Sequence, residues 1–410
     1  MDNRNFLITF FLFLLVPGLA FAQSDRYKLK FAPDLWYNNV DGIRVGARVF
    51  GEIEGTFRDG PHRLDAGVWL ATNIPELPVS YYLSFTEPVA AISSYGNEGN
   101  IQIRSSIRTG YSHHQVSLNK RWQTEFNELK FTEWSLFFSQ EKMFDADYRP
   151  YPQLWQTDWK SLLGMNMWLS KVFDIGKFDL QASVKQNLVS SASYTVGAVE
   201  VKQQIPLGKG FNVRLRGFSG INSSDAAPEY QFGRSYRQPV EWLNNGVTRA
   251  QGTLPNTLLD DGLFQIAGGA NLRGYTFQDF EELANSQNPL TYNFTMSLNA
   301  EVEYPNPVNN LFKQSIIGDF VHLRSYVFGD IGRFYRNNYM QTPGVQSDIL
   351  NVNSDAGLGF QFSLNIPDYL GKDRGFAIRY EIPFWLSHPN GNENTFKFRN
   401  LIGIGAVISL

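Results

Sequence analysis

Cysteine is absent from the 410-residue chain. Its absence excludes disulfides, thiolate metal sites, a cysteine nucleophile and a lipid-anchored cysteine at a mature N-terminus. Charge of either sign is in short supply too: the net charge is −3, so nothing points to a nucleic-acid partner. Past the N-terminal leader no apolar run reaches the ~20 residues that a membrane-spanning helix needs. An integral membrane role therefore requires a closed β-barrel, the other structure that satisfies every backbone hydrogen bond in lipid. Histidine is scarce, and His62, His113, His114, His322 and His388 form no His-Glu-x-x-His pair of the kind that holds catalytic zinc. The adjacent His113 and His114 read as a loop or strand-end pair. No nucleophile elbow, phosphate loop or paired-carboxylate constellation stands out, so we expect neither an enzyme activity nor a cofactor.

Aromatic residues, by contrast, make up 15% of the chain, as the aromatic girdles of a membrane barrel would require, although a large soluble β protein could use them too. Arg4, an apolar run from Phe6 to Leu15, Pro17-Gly18 and Ala20-Phe21-Ala22 together describe a cleavable secretory signal at residues 1–22. The mature chain is then expected to start at Gln23 and to form one barrel domain over 23–410.

Alternation with period two dominates that domain. From Asn293 to Tyr304, Phe294, Met296, Leu298, Ala300, Val302 and Tyr304 share one face, and Asn293, Thr295, Ser297, Asn299, Glu301 and Glu303 the other. Phe376, Ile378, Tyr380 and Ile382 alternate in the same way with Ala377, Arg379 and Glu381. The final segment places Phe396, Phe398, Ile402, Ile404, Ala406, Ile408 and Leu410 together. A soluble sandwich with one wet face would also alternate. Segments of about ten residues or more fit a tilted membrane span better than an ordinary strand.

Fifteen strand segments can be marked between residue 43 and residue 409, and bacterial single-chain barrels have even strand numbers. Lys28 to Asn38 supplies the sixteenth, with Pro33 tolerable because it lies on an edge strand. The short turns Asp174 to Lys177 and Pro206 to Lys209 fall at one rim. The long connectors Glu141 to Asp158, Ile221 to Pro289, Tyr335 to Ser354 and Ser387 to Asn394 fall at the other, which fixes the second rim as the outer one. The connector Thr86 to Asn100 would be periplasmic and is long for that side. The expected fold is all-β: a transmembrane antiparallel β-barrel of sixteen strands with a long extracellular loop folded inward.

Within the strandless insert from about Ile221 to Pro289 lies Gly268-Gly269-Ala270-Asn271-Leu272-Arg273-Gly274-Tyr275. A loop of that length in a compact protein is usually functional or disordered. Taken alone, Arg273 and the later Asp330 read as ordinary solvated residues. However, Leu272-Arg273-Gly274-Tyr275 resembles the Val-Arg-Gly-aromatic signature of the surface-antigen barrel superfamily of outer-membrane assembly factors and two-partner secretion transporters. Phe328, Asp330 and Gly332 resemble that family's Phe-x-Asp-x-Gly strand motif, and Gly357-Leu358-Gly359-Phe360 its glycine-rich motif. The three stand in the family's order over the last ~150 residues. Ile378 to Trp385 is also similar to barrels fused to zinc aminopeptidases in some Gram-negative bacteria.

The resemblance implies sixteen strands and a sixth outer loop folded into the lumen, with Arg273 meeting Asp330 in a charge-assisted contact. Phe328 and Asp330 share a face that must be luminal, and Gly332, Gly357 and Gly359 leave room there for the loop. It also implies a weak seam between Lys28–Asn38 and Thr395–Leu410. The small periplasmic recruiting domains usual in the family are not expected. The terminal strand departs from the family's assembly signal, with Gly403 where a polar residue belongs and Leu410 in place of an aromatic. The expected setting is the Gram-negative outer membrane, with its lipid, a polypeptide client and a separate periplasmic protein as partners. The expected function is protein insertion or translocation. A passive pore or structural barrel without translocation activity is the alternative, and a soluble secreted β protein a third reading.

Overall fold

In a computed structural model, sixteen strands form one antiparallel sheet in simple up-and-down order. Residues 27–53, 62–73, 79–123, 129–188, 193–223, 225–287, 289–309, 320–336, 352–367, 373–390 and 393–407 are described. The expected signal segment, Ile408 and Leu410 lie outside them. The first half comprises β1 (Tyr27–Asn38), β2 (Gly42–Ile53), β3 (Arg63–Ala71), β4 (Val79–Pro88), β5 (Asn97–Arg108), β6 (Tyr111–Gln123), β7 (Phe131–Met143) and β8 (Lys160–Phe173). The second comprises β9 (Gly176–Asn187), β10 (Thr195–Gly208), β11 (Phe211–Asn222), β12 (Phe294–Tyr304), β13 (Val321–Tyr335), β14 (Asn353–Pro367), β15 (Asp373–Leu386) and β16 (Leu401–Val407).

Burial runs opposite to that of a soluble sandwich. In β12, Met296 and Leu298 are 52% and 51% exposed, whereas Thr295, Ser297 and Asn299 between them are buried. In β13, Val327 and Ile331 are exposed while Phe328 and Asp330 are buried, and in β2 Ile43 and Val45 flank the buried Arg44. An apolar outside around a polar inside is the signature of a transmembrane barrel, because lipid rather than water meets the outer face. Alternation also separates the adjacent histidines. They lie within β6 rather than in a loop: His113 lines the lumen, while His114 bonds Ser105 and Ser112.

Two tight turns use mirror-image geometry, which only residues tolerant of positive φ can adopt. Thr109-Gly110 has φ of 48° and 69°, and Lys209-Gly210 has 53° and 84°. The second falls beyond the expected Pro206 to Lys209, because β10 continues through a register shift between Pro206 and Gly208. Short turns also occur at the rim of the long connectors. There Thr109 Oγ1 donates to Asp41 Oδ2 (3.0 Å) beside the β1–β2 turn, and Arg149 donates to Thr109 O. At the opposite rim the β4–β5 connector is shorter than expected, since β5 begins at Asn97 and Gly99 N donates to Ser93 Oγ (3.0 Å).

The last strand differs most from expectation. It begins at Leu401, opposite Glu381, rather than near Thr395. Pro383 has no N–H to extend the ladder, and a bulge follows at Ala356/Gly357 opposite Pro383 and Trp385. Phe396 and Phe398 consequently leave the strand and stand 71% and 79% exposed. Among the described residues β16 has no pairing with β1. Its outer edge is met by the insert, where Gln265 N donates to Ile402 O (2.8 Å) and Ile402 N to Leu263 O (2.7 Å).

The hydrophobic core lies inside the barrel, between the insert and the wall. Leu272, Tyr275, Tyr230 and Phe232 of the insert pack with Phe218, Phe334 and Leu386 of the strands. A second cluster joins Tyr236, Trp242, Phe264 and Phe280 of the insert to Tyr151, Leu154 and Trp155 of the β7–β8 connector. Each fully buried large side chain of this kind contributes about 1.5–3 kcal/mol. The insert is therefore held as a packed plug in the outer half of the lumen.

Candidate functional site

The insert reaches the wall through a segment whose path depends on left-handed residues. Gly268, Gly269 and Asn271 have φ of 138°, 61° and 58°. Asn271 Oδ1 accepts from Gly268 N (3.1 Å), closing the bend locally. A single turn of 3₁₀ helix, Arg273–Tyr275, follows and runs directly into α1 (Thr276–Asn285). Thr276 Oγ1 donates to Arg273 O (2.8 Å), fixing the junction.

At that junction Arg273 is 1% exposed. Its Nε and Nη2 donate to Asp330 Oδ2 and Oδ1, both at 2.8 Å, in a bidentate pair. Its Nη1 donates to Glu301 Oε1 (2.8 Å) and Glu381 Oε1 (2.9 Å). Its backbone N–H also points at Asp330 Oδ2 (3.3 Å). The guanidinium lies 3.8 Å from the centre of the Phe328 ring, in a cation–π contact. One insert residue thus binds carboxylates from β12, β13 and β15. Burial would discharge Arg273, but Asp330, Glu381 and Glu301 more than offset it and raise its pKa well above the ordinary arginine value.

The surrounding wall extends the network. Asn299 Nδ2 donates to Asp330 Oδ1 (3.0 Å) and Asn271 O (3.1 Å). Arg216 donates to Asn299 Oδ1 (2.7 Å), Gly269 O (2.6 Å) and Glu200 Oε2. Arg324 holds the far oxygen of Glu301 (2.9 Å), and Tyr326 OH donates to Glu381 Oε1 (2.7 Å). Arg273 is the shared partner of Asp330, Glu301 and Glu381, so its loss would leave three buried carboxylates short of one positive charge.

Of the nine residues singled out from sequence, seven meet at this junction. Leu272 is fully buried, and a Cβ on Gly332 would stand 2.9 Å from its Cδ1. A Cβ on Gly274 would stand 2.7 Å from Asp355 Cβ, so only glycine lets the loop backbone lie this close to β14. Tyr275 OH lies 3.1 Å from Ser387 Oγ and accepts from His388 N (3.2 Å), reaching the β15–β16 connector. Gly357 and Gly359 do not receive the loop. Their open faces are covered by the rings of Phe328 and Tyr326 from the adjacent strand. The room they create goes to wall aromatics, one of which supports Arg273.

Sequence reasoning missed Glu301 and Glu381 as partners, although both were placed on polar faces. The ladder pair Asn299↔Asp330 puts Glu301 on the same wall as Asp330, and that register is invisible in one strand alone. A second pair, Arg234–Asp279 at 2.6 Å, was missed altogether. It braces α1 against the preceding loop, with Arg234 4.7 Å from the Tyr275 ring centre. Burial lowers the pKa of Arg234, but Asp279 reverses this and raises it.

No family model and no curated protein matches the chain. It is similar in fold to the crystal structure of BamA from Haemophilus ducreyi lacking POTRA domains 1–3. The two are 15% identical with a TM-score of 0.47, and the similarity covers 93% of this chain and 71% of that one.

Proposed function

We propose that this chain is an outer-membrane β-barrel that takes part in inserting or translocating polypeptides, with Arg273 and Asp330 as a latch between plug and wall. The observation that carries this reading is the buried bidentate pair. It joins the Leu272 to Tyr275 turn to the Phe328 to Gly332 strand, so the two surface-antigen-like motifs meet at one point. A passive pore has no need of a plug tied to three strands by one guanidinium. In this reading the described seam supplies the working edge: β16 is short, and insert backbone rather than a neighbouring strand bonds Ile402. Release of the latch would let the insert withdraw from that edge and free it for a client strand.

The test is single-channel recording in planar bilayers, paired with insertion of an unfolded barrel client into vesicles. The expected results are a mostly closed wild-type channel, opened by Arg273→Ala, and faster client insertion in vesicles holding the wild type than in empty ones. A steadily open wild-type channel without faster insertion would establish the passive pore.

A further inference from the structure

Beneath the plug lies a chamber of about 1040 Å³, bounded by the wall from β5 to β11 and by the underside of the insert. A second cavity of about 480 Å³ shares Arg104, Gln115, Phe137, Asn166 and Trp168 with it and continues along the wall. The chamber does not include Asp330 or Phe328, although Glu301 and Arg379 of the latch network border it.

The charges facing this space do not balance. Four carboxylates line it, and each is committed elsewhere. Glu301 binds Arg273 and Arg324, and Glu200 binds Arg216 and Lys202. Glu141 accepts from Tyr111 (2.7 Å) and Tyr230 and lies 3.6 Å from His113, and Glu241 lies 3.9 Å from Arg237. Four further cations face the chamber with no carboxylate in ion-pair range among the described residues: Arg104 and Arg108 from β5, Lys185 from β9 and Arg249 from the insert. Arg108 lies against the Tyr82 ring (4.8 Å) and Lys185 against the Tyr230 ring (4.6 Å), with Asp65 attracting the first and Glu141 and Glu241 the second from beyond ion-pair distance. Arg249 donates to Leu243 O (2.7 Å). Burial, and then repulsion from Arg108, Arg44 and Arg149, pulls its pKa well below the arginine value.

Like charges brought together from three separate elements around one partly open chamber cost free energy unless something of opposite sign joins them. We infer that the chamber is an anion site, built to take a compact multivalent phosphate. Three guanidinium groups present planar forks that match phosphate oxygens, and a lysine adds a point charge. Arg104, Arg108 and Lys185 all act on His113, and Arg108 also on Arg249, so strand and plug bring their cations around one region, which favours a compact polyanion over an extended acidic polypeptide. The site is separate from the latch contact and independent of the translocation reading.

The experiment is thermal unfolding of the full-length barrel in detergent, followed by the heat-modifiable gel band, against inorganic tripolyphosphate with sodium chloride at matched ionic strength as control. A ligand that binds only the folded state raises the melting temperature saturably. The expected result is such a rise, with half-saturation about tenfold higher in Arg108→Gln, the cost of one charge-assisted contact. Arg104→Gln, which alters a side chain projecting into the open lumen, gives the same direction of change if Arg108→Gln fails to fold. A rise that only follows ionic strength would overturn the inference, as would unchanged half-saturation in the folded variants. Stabilisation by a hexaglutamate peptide where tripolyphosphate gives none would overturn it in favour of an acidic polypeptide.

Discussion

The ring of Phe328 on β13 occupies the space that a side chain at Gly357 on β14 would need. These residues are ladder partners, and a Cβ on Gly357 would collide with the ring. The ring therefore lies flat on the wall with its face open, and the Arg273 guanidinium rests on that face. Tyr326 and Gly359 repeat the arrangement one layer away, where the phenol then reaches Glu381. The glycines thus act on the loop through two aromatic rings.

Gly357→Ala should consequently loosen the latch without touching it. Displacing the ring and easing the approach of the new Cβ to Ile382 O (2.5 Å) together cost about 1–3 kcal/mol as overpacking. The same change at Gly217, where a Cβ would meet nothing within 4 Å, should cost far less. Urea unfolding of both variants checks this, and equal losses would show that ring placement is irrelevant. Added channel openings in Gly357→Ala, as in Arg273→Ala, would link the ring to the latch.

Arg273 and Asp330 should not be equivalent on substitution. Asp330→Ala leaves Arg273 with Glu301 and Glu381, whereas Arg273→Ala leaves three carboxylates facing one another around an empty space. Arg273→Ala should cost about 3–5 kcal/mol, the range for breaking a buried ion pair, and Asp330→Ala less. The double variant should lose less than the sum of the two, because the residues share one contact. A double-mutant cycle by urea unfolding measures this. Simple additivity would mean that the pair does not interact.

Much of this architecture was legible in the alternation of strands such as Asn293 to Tyr304. Phe294, Met296 and Leu298 marked the lipid side, and Thr295, Ser297 and Asn299 the lumen. Arg273 and Asp330 stood out only through the motif resemblance, since taken alone each reads as an ordinary solvated residue. Glu381 was not: its role depends on how β15 lies relative to β13, two strands away, and local sequence carries no such register. The packing of Tyr236, Trp242 and Phe280 was equally hidden, since an irregular insert has no period to mark its inner face. The start of β16 was misplaced because its limit is set across the ladder, by Pro383 on β15. Apolar Phe396 and Phe398 carried the strand pattern into a stretch that meets β15 only through an isolated bridge to Trp385 and separate backbone bonds such as Lys397 N to Phe384 O.

Leu272 tests the plug as a packed object rather than as an ion pair. It is fully buried within the cluster that includes Tyr275, Phe334 and Leu386, and it lies against Gly332. Leu272→Ala should cost about 2–5 kcal/mol through the cavity left behind. Leu272→Met, which nearly conserves volume, should cost less than about 1.5 kcal/mol. If both cost the same, packing at this position does not hold the plug.

The contact between plug and last strand can be trapped directly, because the chain has no cysteine to interfere. Phe264 and Ile402 are parallel bridge partners, flanked by the hydrogen bonds from Gln265 and to Leu263. The double variant Phe264→Cys, Ile402→Cys should therefore form an intramolecular disulfide on mild oxidation, seen as a gel shift reversed by reductant. Either single variant should show no shift. If the insert must leave the β16 edge for a client to pair there, the oxidised double variant should lose client insertion and regain it on reduction. Full insertion in the oxidised form would show that the plug stays on β16 throughout. Failure to cross-link would show that the insert does not rest against Ile402 in the membrane.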